Sequence, residues 1–281
     1  MPRSSLSLLL PCILICVMLN LGPAAAQQPS SRLLDELNWL EIQELVPARI
    51  NTVLLTTGTV EPHGVINNGA DNTAPIGIAK ALVTDVNAIL APHISYGITG
   101  SMSPYPGATF IQPEVYSPYV KAVMEGFIRN GFRNLIIING HGGPQTAVLQ
   151  EVANQIAFEH GVNTLVINWW SLCAEDATEV FGNTGGHAAE NETAMVQALR
   201  PDLVRREWID RVTATANPPA GTWSAVPFPS TITQYEAGRG LPGDFDQAKA
   251  DLYFEKVVSR VRSLILEVLE KWQKAGFNGV V

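Results

Sequence analysis

Leu135-Ile136-Ile137-Ile138-Asn139-Gly140-His141-Gly142-Gly143 sets four branched apolar residues against a glycine-rich turn that carries a histidine. An uncharged run of this kind reads as a strand buried on both faces, the habit of a parallel sheet covered by helices. The turn places His141 between glycines, where backbone can come close to a ligand. Open parallel sheets bind their ligands outside the carboxyl ends of the strands. The stretch therefore points to a sheet, its class and the edge where chemistry belongs.

The flanks agree. Residues 115–130 carry a helical pattern with Gly131 as its stop, and 145–159 repeat it with Gly161. The 164–167 run reads as a further strand. Upstream, 52–57 reads as a strand, 72–90 as a helix with Ile76, Ala79, Leu82, Val83 and Val86 at helical spacing, and 92–97 as a second strand. Strand and helix in this alternation predict an α/β fold with a mostly parallel central sheet and helices on both faces. Residues 213–246 break the rhythm with Pro218, Pro219, Pro227, Pro229 and Pro242. So long an irregular segment is expected to fold over the site or an oligomer contact. An amphipathic helix over 247–274 closes the chain. No linker divides it, so 27–281 reads as a single domain.

Composition narrows the function. With 18 basic against 26 acidic residues and a net charge of −8, the chain is no candidate for a nucleic-acid or acidic-membrane partner. Residues 1–26 read as a cleaved signal peptide: Arg3, an apolar run from Leu6 to Leu21, then Ala24 and Ala26 in a small-x-small pattern. Cleavage would remove Cys12 and Cys16, leaving Cys173 as a lone buried thiol. The mature protein is expected to be secreted, in a periplasm, with no membrane attachment.

Three strands deliver unusual residues to one edge. The first runs into Gly58-Thr59-Val60-Glu61-Pro62-His63-Gly64, the central one into Gly140-His141, and the next into Trp169-Trp170. Two apart in extended chain, Glu61 and His63 point to one side and make a metal half-site. Asp71 precedes a helix and suits either an N-cap or a ligand. In Gly186-His187-Ala188-Ala189-Glu190-Asn191-Glu192-Thr193, a helix running through all eight would put His187 and Glu190 on one face. Glu192 would then lie about 200° from Glu190. That geometry sends Glu190 to the site and leaves Glu192 to structure. Trp169 and Trp170 suit either a substrate wall or core packing. His93 and His160 carry no assigned role.

These motifs, with Tyr105-Pro106-Gly107-Ala108-Thr109, jointly resemble the creatininase (creatinine amidohydrolase) family, in its order and over residues 50–200. The resemblance implies a three-layer α/β/α sandwich and a dinuclear site hydrolysing C–N bonds other than peptide bonds. It implies Glu61, His63, Asp71 and His141 as ligands of two divalent ions (Zn, Mn or Fe), with Asp71 bridging. Creatininase itself carries a Glu where this chain has Gly143 and none at the place of Glu190. Other members show the reverse, as here. Glu190 is accordingly expected as the fifth ligand, and creatinine becomes a less expected substrate. Family habit further implies a homo-oligomer, often a hexamer.

The expected reaction is attack by a water, activated between the two ions, on a small-molecule amide. His187 would bind substrate or the developing oxyanion, and His187 or Glu190 would carry the proton to the leaving nitrogen. Two other functions fit the same residues: a peptidase of the same family, and an inactive periplasmic metal- or ligand-binding protein.

Overall fold

The computed structural model describes residues 29–212, 214–216, 222–234 and 246–277. Both the expected leader and parts of the 213–246 segment lie outside them. Helix α1 (Trp39–Leu45) precedes strand β1 (Thr52–Thr57). Then α2 (Ala70–Leu82) leads to β2 (Ala88–Leu90), α3 (Pro113–Arg129) to β3 (Asn134–Asn139), and α4 (Pro144–His160) to β4 (Asn163–Asn168). Next come α5 (Trp169–Leu172), α6 (Ala174–Phe181) and α7 (Glu190–Leu199). A separate parallel pair, β5 (Ala214–Ala216) and β6 (Ile232–Gln234), precedes the closing helix α8 (Gln247–Lys274).

The main sheet has the order β2-β1-β3-β4, and every pairing is parallel. Its strands are buried on both faces because their side chains alternate between two apolar clusters. Leu54, Ile136 and Ile138 pack with Ile78 and Leu82 of α2, Met195 of α7 and Val257 of α8. Val53, Leu55, Leu135 and Ile137 pack on the other side with Val120 of α3, Leu149 of α4 and Leu45 of α1. The result is the expected three-layer α/β/α sandwich. Cys173 lies fully buried in the first cluster, where burial pushes its thiol up to about 12, as suits a core residue. Among the described residues no helix is long and apolar enough to cross a membrane.

Two sequence boundaries shift. The helix expected over 72–90 ends at Leu82, and a turn with Asn87 at φ +48° leads into β2. Residues 92–97 make only isolated bridges, Thr57 to Ile94 and Gly97 to Phe110, so the second strand lies just upstream of them. Register explains the site's position. Thr57, Asn139 and Asn168 stand side by side as the last residues of β1, β3 and β4. The loops that follow them leave the sheet from one line.

Candidate metal centre and active site

Asn139 organises the central loop. Its side-chain oxygen accepts from His141 N at 3.1 Å and its amide donates to His141 O at 2.7 Å, which closes the Gly140-His141 turn without a regular element. Glycine is needed at the next position for packing. A Cβ on Gly140 would stand 1.9 Å from Asp71 O, and one on Gly58 would stand 2.3 Å from the same atom. The two loops thus clamp the backbone at the start of α2. Asp71 is not that helix's N-cap, a place taken by Gly69; its buried carboxylate turns toward the loops.

There it joins two histidines. Asp71 Oδ1 lies 3.0 Å from His63 Nε2, and Oδ2 lies 2.8 Å from His141 Nδ1. Glu61 Oε1 adds contacts of 3.3 Å to His141 Nδ1 and 3.5 Å to His187 Nδ1. Each imidazole has its other nitrogen on a backbone carbonyl: His63 Nδ1 on Glu61 O at 3.0 Å, His141 Nε2 on Ile98 O at 3.0 Å, and His187 Nε2 on Pro62 O at 2.7 Å. A carbonyl only accepts, so each of those nitrogens carries the proton. In the neutral ring the opposite nitrogen then presents a lone pair, and all three lone pairs face carboxylates. Acceptor facing acceptor at hydrogen-bond distance calls for a cation between them, a proton or a metal ion. Fixing a ring by its outer N–H is also how metal-ligating histidines are oriented.

The electrostatics say the same. Burial alone would lower the pKa of His63, but the charge and hydrogen bond of Asp71 raise it to about 10. Burial likewise opposes, and Glu61 and Asp71 overcome it, to bring His141 to about 9. Burial pushes Glu61 up, helped by the charge of Asp71, while the two histidines hold Asp71 well below the usual carboxylate range against its own burial. His187 differs: burial and the neighbouring His63 lower it to about 3, so it is neutral.

Of the two glutamates, the structure brings Glu192 to the cluster. Glu192 Oε2 stands 3.4 Å from His63 Nε2 and accepts from Ala188 N at 2.6 Å. Glu190 is buried at the first position of α7 but stands outside the donor groups found among the described residues. The reason is where the helix begins. His187 precedes it, on a loop with Gly185, Gly186 and Ala188 at positive φ, so the supposed shared face of His187 and Glu190 does not exist. Only one glutamate can point inward, as the spacing requires, and α7 packs on α2 with Leu199 against Gly77. Glu192, Met195, Val196 and Leu199 follow a helical stripe that Glu192 heads, whereas Glu190, Thr193, Ala194 and Gln197 make a more polar one.

Donor atoms converge as three groups: Glu61, Asp71 and His141; His63, Asp71 and Glu192; and Glu61, His63 and His187. Cavities open on two sides. One, of about 470 Å³, reaches Glu61, His141 and His187 and is walled by Thr99 to Met102 and by Trp223 and Phe228. The other, of about 400 Å³, is lined by Trp170, Gly185, Asn191 and Glu192. Trp170 therefore walls a cavity, but Trp169 does not. It is 1% exposed within the core, its ring edge-on to Trp170, because α5 turns it back under the sheet's helical layer. The described part of the 213–246 segment does cover the site. Phe228 N donates to Ser101 O, Tyr105 Oη donates to Phe228 O at 2.6 Å, and Thr233 N donates to His187 O.

Comparison with known proteins gives this site its relatives. The family model for creatininase, described as creatinine amidohydrolase, matches residues 35–265. The creatinine amidohydrolase of Pseudomonas putida is 26% identical over 203 residues, 66% of this chain and 76% of that protein. The 3-dehydro-scyllo-inosose hydrolase of Thermotoga maritima is 26% identical over 195 residues, 65% of this chain and 60% of its own length. Among solved structures, a creatininase crystal structure superposes with a TM-score of 0.70 at 21% identity, covering 84% of this chain and 97% of that one. A manganese creatininase gives 0.68 at 24%, covering 84% and 98%. A mutant creatininase of Zn-Zn type gives 0.70 at 22% with the same coverage. The chain belongs to the creatininase family of amidohydrolases.

Proposed function

We propose that this protein hydrolyses an amide or related C–N bond of a small molecule with the help of two divalent cations. Glu61, Asp71 and His141 would hold one, and His63, Asp71 and Glu192 the other. The observation that carries this reading is the set of imidazoles whose outer N–H groups are pinned on backbone carbonyls while their lone pairs face shared carboxylates. Nitrogen and carboxylate donors in this mixture suit zinc or manganese. Such ions, when bound, polarise a carbonyl and make water nucleophilic at neutral pH.

The chain's own residues supply the proton traffic. With Nε2–H held by Pro62 O, neutral His187 offers Nδ1 as an acceptor at the edge of the cluster. With its pKa held at about 3 it accepts a hydrogen bond from the attacking water and orients it, and is not a hydrogen-bond donor to an oxyanion; the water's proton passes to the departing nitrogen. Water adds across the bond: the carbonyl carbon becomes a carboxylate and the nitrogen leaves protonated. We also propose export to the periplasm, on the strength of the leader pattern in residues 1–26.

Metal content per chain tests the site. Wild-type protein purified without chelator should carry about two divalent ions, as dinuclear hydrolases do. Glu192→Gln should lose about one, and Glu190→Gln should lose none. Loss in Glu190→Gln alone would return the ligand to that residue, and metal-free wild type after incubation with zinc or manganese would refute the mechanism.

A further inference from the structure

The larger cavity is the wrong size and chemistry for a creatinine-sized ring. Its volume of about 470 Å³ falls in the ~300–1,000 Å³ range of clefts that enclose drug-sized ligands. A single small ring seated at the cluster leaves most of it unfilled. The cavity that reaches Glu61, His141 and His187 has an aromatic wall: Trp223 and Phe228 stack with centroids 5.0 Å apart and planes 25° from parallel. Ser101, Met102, Ser224 and Thr233 also line it, while the Thr99 hydroxyl is engaged with Thr59 Oγ1 and Thr109 O. Among the described lining residues there is no lysine or arginine, and the one carboxylate is Glu61.

Resting on the hydrolase reading above, we infer that the substrate is a cyclic amide bearing an aryl or similarly flat apolar substituent. That substituent packs on Trp223 and Phe228 while the ring amide lies at the cluster. Stacking on an aromatic pair selects flat apolar groups. Trp223 and Phe228 thereby become specificity-determining residues contributed by a segment remote in sequence from the metal-holding loops.

Calorimetric binding and turnover of 5-benzylhydantoin, hydantoin and creatinine, in the presence of manganese, test this. Wild type should bind 5-benzylhydantoin at least tenfold more tightly than either small ring. Trp223→Ala and Phe228→Ala should abolish that preference, while Trp223→Phe should keep it. Equal binding of the benzyl and unsubstituted rings by wild type, or an undiminished preference in both alanine variants, would overturn the assignment. Turnover separates the two readings. Preference without turnover of any compound supports the aryl wall and removes the hydrolase; turnover without preference keeps the hydrolase and removes the wall.

Discussion

Gly140→Ala tests whether the loops hold Asp71 by backbone contact. The added Cβ would lie 1.9 Å from Asp71 O and 2.8 Å from Pro75 Cγ, and neither neighbour is a flexible side-chain tip. Relief to an ordinary contact requires the start of α2 to retreat by about 1 Å or more. The Asp71 carboxylate now meets His63 at 3.0 Å and His141 at 2.8 Å. A retreat of that size takes both contacts to about 4 Å, beyond hydrogen-bond reach. Overpacking in a tight interior costs about 1–3 kcal/mol, and a backbone clash belongs at the upper end. About 3 kcal/mol corresponds to a melting temperature lower by roughly 6–12 °C in a domain of this size. Metal affinity, measured by chelator competition with zinc, should fall about 10- to 100-fold, as when the support of a ligand is disturbed. Gly142→Ala is the control: its Cβ meets only Trp170 Cζ2 at 3.6 Å, an ordinary contact. Wild-type melting and zinc affinity in Gly140→Ala, or equal damage in Gly142→Ala, would refute the clamp.

Other perturbations reach different parts of the molecule. His93, held between Thr56 Oγ1 and Asn72 Oδ1 at 2.8 Å each, is pushed by burial from 6.5 to about 4. Its folded pKa lies below the unfolded one, so it costs nothing above pH 6.5, and stability falls as pH drops toward 4, by about 3 kcal/mol in total. His93→Gln should flatten the acid limb of a stability–pH curve from denaturant melts; an unchanged slope would contradict the assignment. Arg260 of α8 pairs in bidentate fashion with the nearly buried Asp176 of α6. Arg260→Ala should lower stability by about 2 kcal/mol by stranding that carboxylate, and Arg260→Ala with Asp176→Asn should recover part of it. The exported protein should begin at Gln27 on N-terminal sequencing, and a mature chain that retains Met1 would refute the leader.

The fold was readable wherever local chemistry and tertiary packing demanded the same thing. The runs at 52–57 and 134–139 are apolar because both sheet faces are covered, and α8 begins and ends at the expected residues, 247 and 274. Asp246 caps its start, accepting from Lys249 N at 2.9 Å. Reading failed where one apolar pattern served two elements. Val83, Val86, Ile89 and Leu90 continue a helical spacing, yet the chain turns at Asn87 and spends Ile89 and Leu90 on β2. In the site, the closeness of Glu61, His63 and His141 was legible from their places just after the ends of the paired strands β1 and β3, whereas Asp71 was expected beside them only through the family resemblance. The approach of Glu192, and not Glu190, to His63 was not legible, because the helix start depends on a loop conformation that residue spacing does not encode. The wall from Trp223 to Phe228 was legible only as a segment too long and proline-rich to be idle; its aromatic pair becomes visible only when the chain folds back over Ser101 and His187.

Two kinds of attachment meet at this site, and they differ in how freely they can be rewritten. Gly58 and Gly140 touch backbone so closely that no side chain fits, so these two positions in the loops that carry the clustered donors admit almost no change of letter. The wall is tied on by main-chain atoms, Phe228 N to Ser101 O and Thr233 N to His187 O, with Tyr105 reaching a carbonyl on it. Main-chain bonds are indifferent to which residue carries them, proline excepted. A lineage can therefore keep its hydrolytic machinery intact while exchanging the side chains at 223–228, and so pass from one substrate to another through intermediates that remain folded. For directed evolution the same asymmetry marks where diversity should be placed: saturate the wall, and leave the glycines alone.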